Sequence, residues 1–212
     1  MPVIYMDLDG TLLDVWPRYY SVMKQFVEHL EQPFPSLEEY KQLKLTKIQD
    51  ADILQTIFQD DPERISELLP SYTVWKRRML EQEELLRLDS PIGSLEAFAQ
   101  RAGPAYKLQL ISIRRNPGRA MRQLERLQLI GWFDRIEFIS PSGASNPKGE
   151  LIHERAAPDD LFIGDSETDI ACGAALGLRT FHVGTGLRSF DYATRAGKAI
   201  QLETYADVLS FI

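Results

Sequence analysis

Two aspartates, Asp7 and Asp9, stand two residues apart directly after the short apolar run Val3-Ile4-Tyr5-Met6. Side chains at i and i+2 of an extended chain point to the same side. Two carboxylates so placed repel each other, which raises a proton affinity or invites a cation. Gly10 then permits a tight turn into Thr11. An Asp-Gly pair is also an ordinary acidic turn, so this pair alone leaves both readings open. A second acidic pair, Asp165 and Asp169, lies in Gly164-Asp165-Ser166-Glu167-Thr168-Asp169, again directly after an apolar run. A hard divalent cation with phosphate oxygens in its shell needs few protein carboxylates, and two acidic strand ends supply them. The competing reading is helix capping by Asp165 or Ser166, with acids favoured in a first turn.

Ser112 closes the run Lys107-Leu108-Gln109-Leu110-Ile111 and precedes Ile113, Arg114, Arg115 and Asn116. A hydroxyl and exposed backbone amides at that point can donate to a phosphoryl oxygen. Arg114 or Arg115 either contacts an anionic substrate or covers the rim of a crevice. Lys148, in the expected loop Ser145-Asn146-Pro147-Lys148-Gly149, is a compact charge that can neutralise both a nucleophile and a phosphoryl group. A lysine taken alone is usually a surface residue. Lys107 is the weaker candidate, because it begins a strand instead of ending one. Cys172, the single cysteine, excludes an internal disulfide and reads as a packed thiol among small residues.

Positioning these groups requires strands that end where they stand. Strands are expected at 3–6, 107–112, 135–139, 161–164 and 179–183, with helices at 94–101, 120–129, 169–176 and 205–211. Short apolar strands alternating with helices imply an α/β, Rossmann-like three-layer core with a parallel sheet. In such sheets the ligand crevice lies at the carboxyl ends of the strands, where Asp7, Ser112, Asp165 and the loop to Lys148 fall. Between 16 and 88 the periodicity is helical throughout: Tyr19, Val22, Met23, Phe26, Val27 and Leu30 form one stripe. Breakers are expected at Pro33-Phe34-Pro35, Asp60-Asp61-Pro62 and Pro70. Two domains result: a core of 1–14 and 89–212, and an inserted helical module of 15–88. In that module Arg18, Lys76, Arg77 and Arg78 could read a leaving group, although long charged residues on a helix are more often solvated. Tyr19, Tyr20 and Trp75 read as the module's core.

The chain has 212 residues, with 24 Lys and Arg against 31 Asp and Glu, a formal net charge of −7. That balance gives no general attraction to nucleic acid or to an anionic membrane. The N-terminus has no signal-peptide pattern, and no stretch nears the roughly 20 apolar residues of a membrane span. A cytoplasmic location is the expectation.

Taken in order, Asp7-Leu8-Asp9-Gly10-Thr11-Leu12, a strand-end Ser112, Lys148, and Gly164-Asp165-Ser166-Glu167-Thr168-Asp169 resemble the four motifs of the haloacid dehalogenase-like hydrolase superfamily. The phosphoglycolate phosphatase-type branch, with its small helical cap inserted after the first motif, is the nearest likeness. The resemblance covers 1–14 and about 89–190. It implies a phosphatase that uses Asp7 as a covalent nucleophile on a small phosphorylated metabolite, with Asp9 as general acid–base. It implies Mg²⁺ held by Asp7, the backbone carbonyl of Asp9, and Asp165, with Asp169 in support. Ser112 and Lys148 would hold phosphoryl oxygens, joined by Gly10, Thr11, Ile113 and Arg114 in binding substrate. Dehalogenases of the same fold lack the second aspartate, and Asp9 is present. A phosphomutase of the same family and a non-catalytic binding protein that keeps the fold are the alternatives. Exposed aromatics in the cap would allow a homodimer.

Overall fold

Val3-Ile4-Tyr5-Met6 combines β-branched, aromatic and apolar side chains, which favour a strand buried on both faces. Ile4, Tyr5 and Met6 are indeed wholly buried. Residues 1–47, 49–58, 62–141 and 146–212 are described by a computed structural model. Asp60, Asp61 and Ser145 lie outside the described residues.

In chain order, β1 (Val3–Met6) and β2 (Leu13–Asp14) precede the helices α1 (Trp16–His29), α2 (Leu37–Lys47), α3 (Asp50–Ile57), α4 (Pro62–Met79) and α5 (Glu83–Leu86). Then come β3 (Ser90–Pro91), α6 (Leu95–Ala102), β4 (Lys107–Ile113), α7 (Pro117–Arg126), β5 (Arg135–Ile139) and α8 (Pro147–Ile152). The chain closes with β6 (Leu161–Gly164), α9 (Glu167–Ala175), β7 (Arg179–Val183), α10 (Phe190–Ala193), β8 (Ile200–Leu202) and a 3₁₀ segment at Tyr205–Ser210. Two compact units result, Met1–Asp14 with Ser90–Ile212, and Val15–Asp89.

The first unit holds a six-stranded sheet in the order β5-β4-β1-β6-β7-β8. Every neighbouring pair in it is parallel. This is the Rossmann-like α/β core. β1 sits in the middle, and the connections run first to one side of it and then to the other. β2 and β3 pair antiparallel, Leu13 opposite Pro91, where the chain leaves this unit and returns to it. Tyr5, Ile111, Ile152, Phe162 and Cys172 are core residues of one cluster. Removing such side chains from water contributes about 1.5–3 kcal/mol each.

Several expectations shift. The helix expected at 120–129 starts earlier, at Pro117, because Asn116 caps it by accepting from the Arg119 N–H at 3.0 Å. The helix expected at 205–211 is the 3₁₀ segment. β8 has only three residues at the sheet edge, too short for a periodic signal.

In the second unit, α1 buries Trp16, Val22, Met23, Phe26 and Val27. Phe26 meets Tyr72 of α4 edge-on at 5.2 Å between ring centres, and the Trp75 indole N–H donates to the Val22 carbonyl at 2.9 Å. These contacts hold α4 continuous through Pro70, which does not break it. Tertiary burial here outweighs the roughly 3 kcal/mol that an internal proline costs a helix. Arg18 is buried within its unit and its Nε donates to Asp89 Oδ1 at 3.0 Å. Lys76 is held by Asp50, which also takes Lys44. Among the described residues no helix is long and apolar enough to cross a membrane.

Candidate active site

Strand register brings the first three groups together. Met6 of β1 lies opposite Leu110 of β4 and Ile163 of β6. Neighbouring strands stand about 4.8 Å apart. Asp7, just past β1, Ser112, near the end of β4, and Asp165, just past β6, therefore share one edge of the sheet. The Asp7 N–H still donates to the Ile163 carbonyl at 2.9 Å, so the ladder holds its backbone in place.

Lys148 arrives from a helix, which corrects the expected loop. Asn146 accepts from the Gly149 N–H at 3.0 Å and Pro147 occupies the first turn, so α8 begins at this point. Asparagine caps and first-turn prolines are common helix starts. Lys148 is buried, and its Nζ lies 2.5 Å from Asp7 Oδ1 and 2.5 Å from Asp169 Oδ1. The other oxygen of Asp169 accepts from the Ser166 N–H at 3.0 Å and the Ser166 hydroxyl at 2.6 Å. The two readings of Asp169 are thus compatible: Oδ2 caps α9 while Oδ1 faces the lysine.

Asp165 is clamped from a segment that the sequence reading passed over. Its Oδ2 accepts from the Leu187 N–H at 2.8 Å, and the Thr185 hydroxyl donates to the Gly10 carbonyl at 2.6 Å. The backbone must come very close here. Gly10 has φ +79°, and a Cβ on it would stand 2.5 Å from Asp165 Oδ2. A Cβ on Gly186 would stand 1.9 Å from the same oxygen. The signal was present: Gly184-Thr185-Gly186 follows directly after β7, where the strand-end rule also applies.

Of the remaining candidates, Thr11 is fully buried in the turn, and its hydroxyl is unpaired among the described residues. Ile113 is half-buried and pairs with Ile139 of β5. Arg114 is neither on the rim nor exposed. It is 2% accessible, and its Nη2 lies 2.5 Å from Asp9 Oδ1.

The site is over-supplied with negative charge. Asp7, Asp165 and Asp169 are all buried, and one oxygen of each lies within 4.8 Å of the others. Lys148 offsets one charge of the three. Burial pushes the Asp7 carboxyl up to about 7, with Asp169 adding to the rise and Lys148 opposing it. Burial, then Asp169 and Asp7, hold the Asp165 carboxyl well above the usual carboxylate range. Burial lowers the proton affinity of Lys148, but Asp169 and Asp7 outweigh it and the ammonium is held above its ordinary value. An all-oxygen set of three carboxylates with two uncompensated charges suits a hard divalent cation. Cys172 takes no part: burial raises its thiol to about 12, which makes it inert.

The model of the haloacid dehalogenase-like hydrolase family matches residues 4–183. The chain belongs to this family. Among its relatives is "Pyrophosphatase PpaX" of Halalkalibacterium halodurans, 21% identical over 99% of this chain and 95% of that one. Family likeness extends to solved structures. A haloacid dehalogenase-like family protein from Streptococcus pneumoniae superposes with a TM-score of 0.70 at 18% identity, over 100% of this chain and 98% of that one. A predicted phosphoglycolate phosphatase from Haemophilus somnus gives 0.69 at 17% identity, over 100% and 97%. At those identities the structures speak for the shared fold.

Proposed function

We propose that this chain is a divalent-cation-dependent phosphatase that hydrolyses small phosphate monoesters through an aspartyl-phosphate on Asp7. The observation that carries the reading is the buried group of Asp7, Asp165 and Asp169 around Lys148 at the carboxyl ends of β1 and β6. Asp7, the Asp9 backbone carbonyl and Asp165 would hold the cation, with Asp169 in support. When bound, Mg²⁺ would neutralise the acidic cluster and lower the repulsion met by a phosphate dianion.

The chain's own groups do the rest. A carboxylate oxygen of Asp7 forms a bond to phosphorus while the ester P–O bond breaks and its electron pair leaves with the ester oxygen. Asp9 gives that oxygen a proton. Water then attacks phosphorus, Asp9 takes its proton back, and Asp7 is released with inorganic phosphate. Lys148 orients Asp7 and, with Ser112, offsets charge on the phosphoryl oxygens. Alignment and charge neutralisation are what this reaction chiefly needs. Gly10, Thr11 and Ile113 would line the phosphoryl pocket.

The helical unit Val15–Asp89 would serve as the cap that selects the leaving group, and the cytoplasm is the proposed location. A homodimer is part of the proposal, to be read from the mass in solution. A mutase would share every step up to the fate of the phosphoryl group. The test is phosphate release from p-nitrophenyl phosphate, a panel of small phosphomonoesters and inorganic pyrophosphate, in Mg²⁺ and in chelator. Pyrophosphate is included because the curated relative carries the name pyrophosphatase. The expected result is turnover that needs the metal and falls by at least about 10³-fold in Asp7→Asn. Equal phosphate release by wild type and Asp7→Asn on every substrate would falsify the reading.

A further inference from the structure

Arg114 stands where the sequence offered a substrate contact, yet its surroundings give it another task. It follows β4 directly, two residues beyond Ser112, so the strand alternation sends both side chains to the same side. Its backbone N–H donates to the Ile139 carbonyl of β5 at 2.8 Å, which prolongs the sheet and fixes its Cα. Its side chain is buried, and Nη2 reaches Asp9 Oδ1 at 2.5 Å across 105 residues of sequence. The same nitrogen lies 3.4 Å from Gln123 Oε1, on the buried face of α7. The guanidinium is therefore anchored at its root by β5, flanked by α7, and committed at its tip to one oxygen of Asp9.

Asp9 is the carboxylate held in this way. It sits in the turn between β1 and β2, and its carboxylate is one-fifth accessible. An aspartate in a turn has rotamers to choose from. A planar guanidinium with its donors in a rigid fork restricts that choice far more than a lysine would. We infer that Arg114 is a positioning residue that holds the Asp9 carboxyl in the orientation for proton transfer to the leaving oxygen. The inference rests on the reading of Asp9 as the general acid–base. It places Arg114 behind Asp9, not against the substrate. Its loss is therefore expected to slow the proton-dependent step and leave phosphate binding in place.

Two comparisons test this, both in the full chain with Mg²⁺. The first sets an alkyl phosphate, whose leaving oxygen must be protonated, against p-nitrophenyl phosphate, whose leaving group departs without a proton. Arg114→Gln is expected to lower kcat/KM, which reports expulsion of the leaving group and not the later hydrolysis that Asp9 also serves, about tenfold to a hundredfold more on the alkyl ester than on the aryl ester. The second is a double-mutant cycle on the aryl ester. In an Asp9→Asn background, Arg114→Gln is expected to have no further effect on kcat. Arg114→Lys, which keeps a cation in the same place, is read in the same way and is expected to fall between wild type and Arg114→Gln. Thermal melts of each variant report whether the fold is kept. An equal fall on both substrates overturns the inference, as does an effect of Arg114→Gln that persists undiminished without Asp9. A rise in KM alone would instead return Arg114 to the substrate-binding set. These failures are separable from failure of the phosphatase reading, which would show as no Asp7-dependent turnover in the wild type.

Discussion

At Asp7 a carboxylate gives up its water to sit among two other acids and one lysine, and that exchange has a pH signature. Its carboxyl is raised from the ordinary 3.8 to about 7, first by burial and then by Asp169. The folded state therefore binds this proton more tightly than the unfolded chain. The associated stability is fully present below the unfolded value and is lost as pH rises through the folded one. In chelator, Asp7→Asn is accordingly expected to melt higher relative to wild type at about pH 8 than at about pH 5, by calorimetry. Added Mg²⁺ is expected to raise the wild-type melting temperature more at the higher pH, and to do less for Asp7→Asn. A melting difference that does not change with pH would mean that the buried charge at position 7 is already compensated.

Helices α6, α7 and α8 start at short capping side chains, Ser94, Asn116 and Asn146, and the last of these starts sets the place of Lys148. Asn146 caps α8, and α8 delivers Lys148 to both Asp7 and Asp169. Asn146→Ala removes the cap and is expected to cost about 1 kcal/mol in urea unfolding. Because fraying begins at the turn that holds Lys148, kcat is expected to fall as well. An unchanged kcat with lowered stability would show that burial of Lys148 holds it without the cap. This helix was invisible as periodicity, since six residues with a glycine among them make little pattern. Its capping residue and first-turn proline were legible; the intervening Gly149 hid the rest. Pro70 misled in the opposite direction, because the packing of Tyr72 and Trp75 lies far away in sequence on α1.

For the whole molecule, the division into two units sets separate stability questions. Arg18 and Asp89, near the two ends of the unit Val15–Asp89, form an ion pair with both side chains fully buried, and Arg18 Nη1 also donates to the Leu80 carbonyl at 3.2 Å. Removing one partner of such a pair leaves a buried charge without its main compensation, a cost of about 3–5 kcal/mol. Arg18→Met is expected to lower the unfolding free energy of this unit by that amount, taken from the urea midpoint and slope. Trp16 and Trp75 belong to it and Trp132 does not, so fluorescence of a Trp132→Phe background follows it alone. A loss of unfolding free energy below about 1 kcal/mol would reduce the pair to an ordinary surface-like contact.

What the amino-acid order determined by itself was local. Asp7, Ser112 and Asp165 end or follow apolar runs that favour strands wherever the chain takes them, and short strands alternating with helices imply a parallel sheet. The helical texture of the second unit was equally plain in the spacing of Val22, Met23, Phe26 and Val27. Tertiary structure decided which of these groups meet. Lys148 reaches Asp7 across 141 residues, the Leu187 amide clamps Asp165, and Arg114 is buried with its guanidinium against Asp9. The reason is that register between parallel strands follows from burial of both sheet faces against helices that are distant in sequence. No spacing along the chain records which strand will lie beside which, nor which charge will find its partner there.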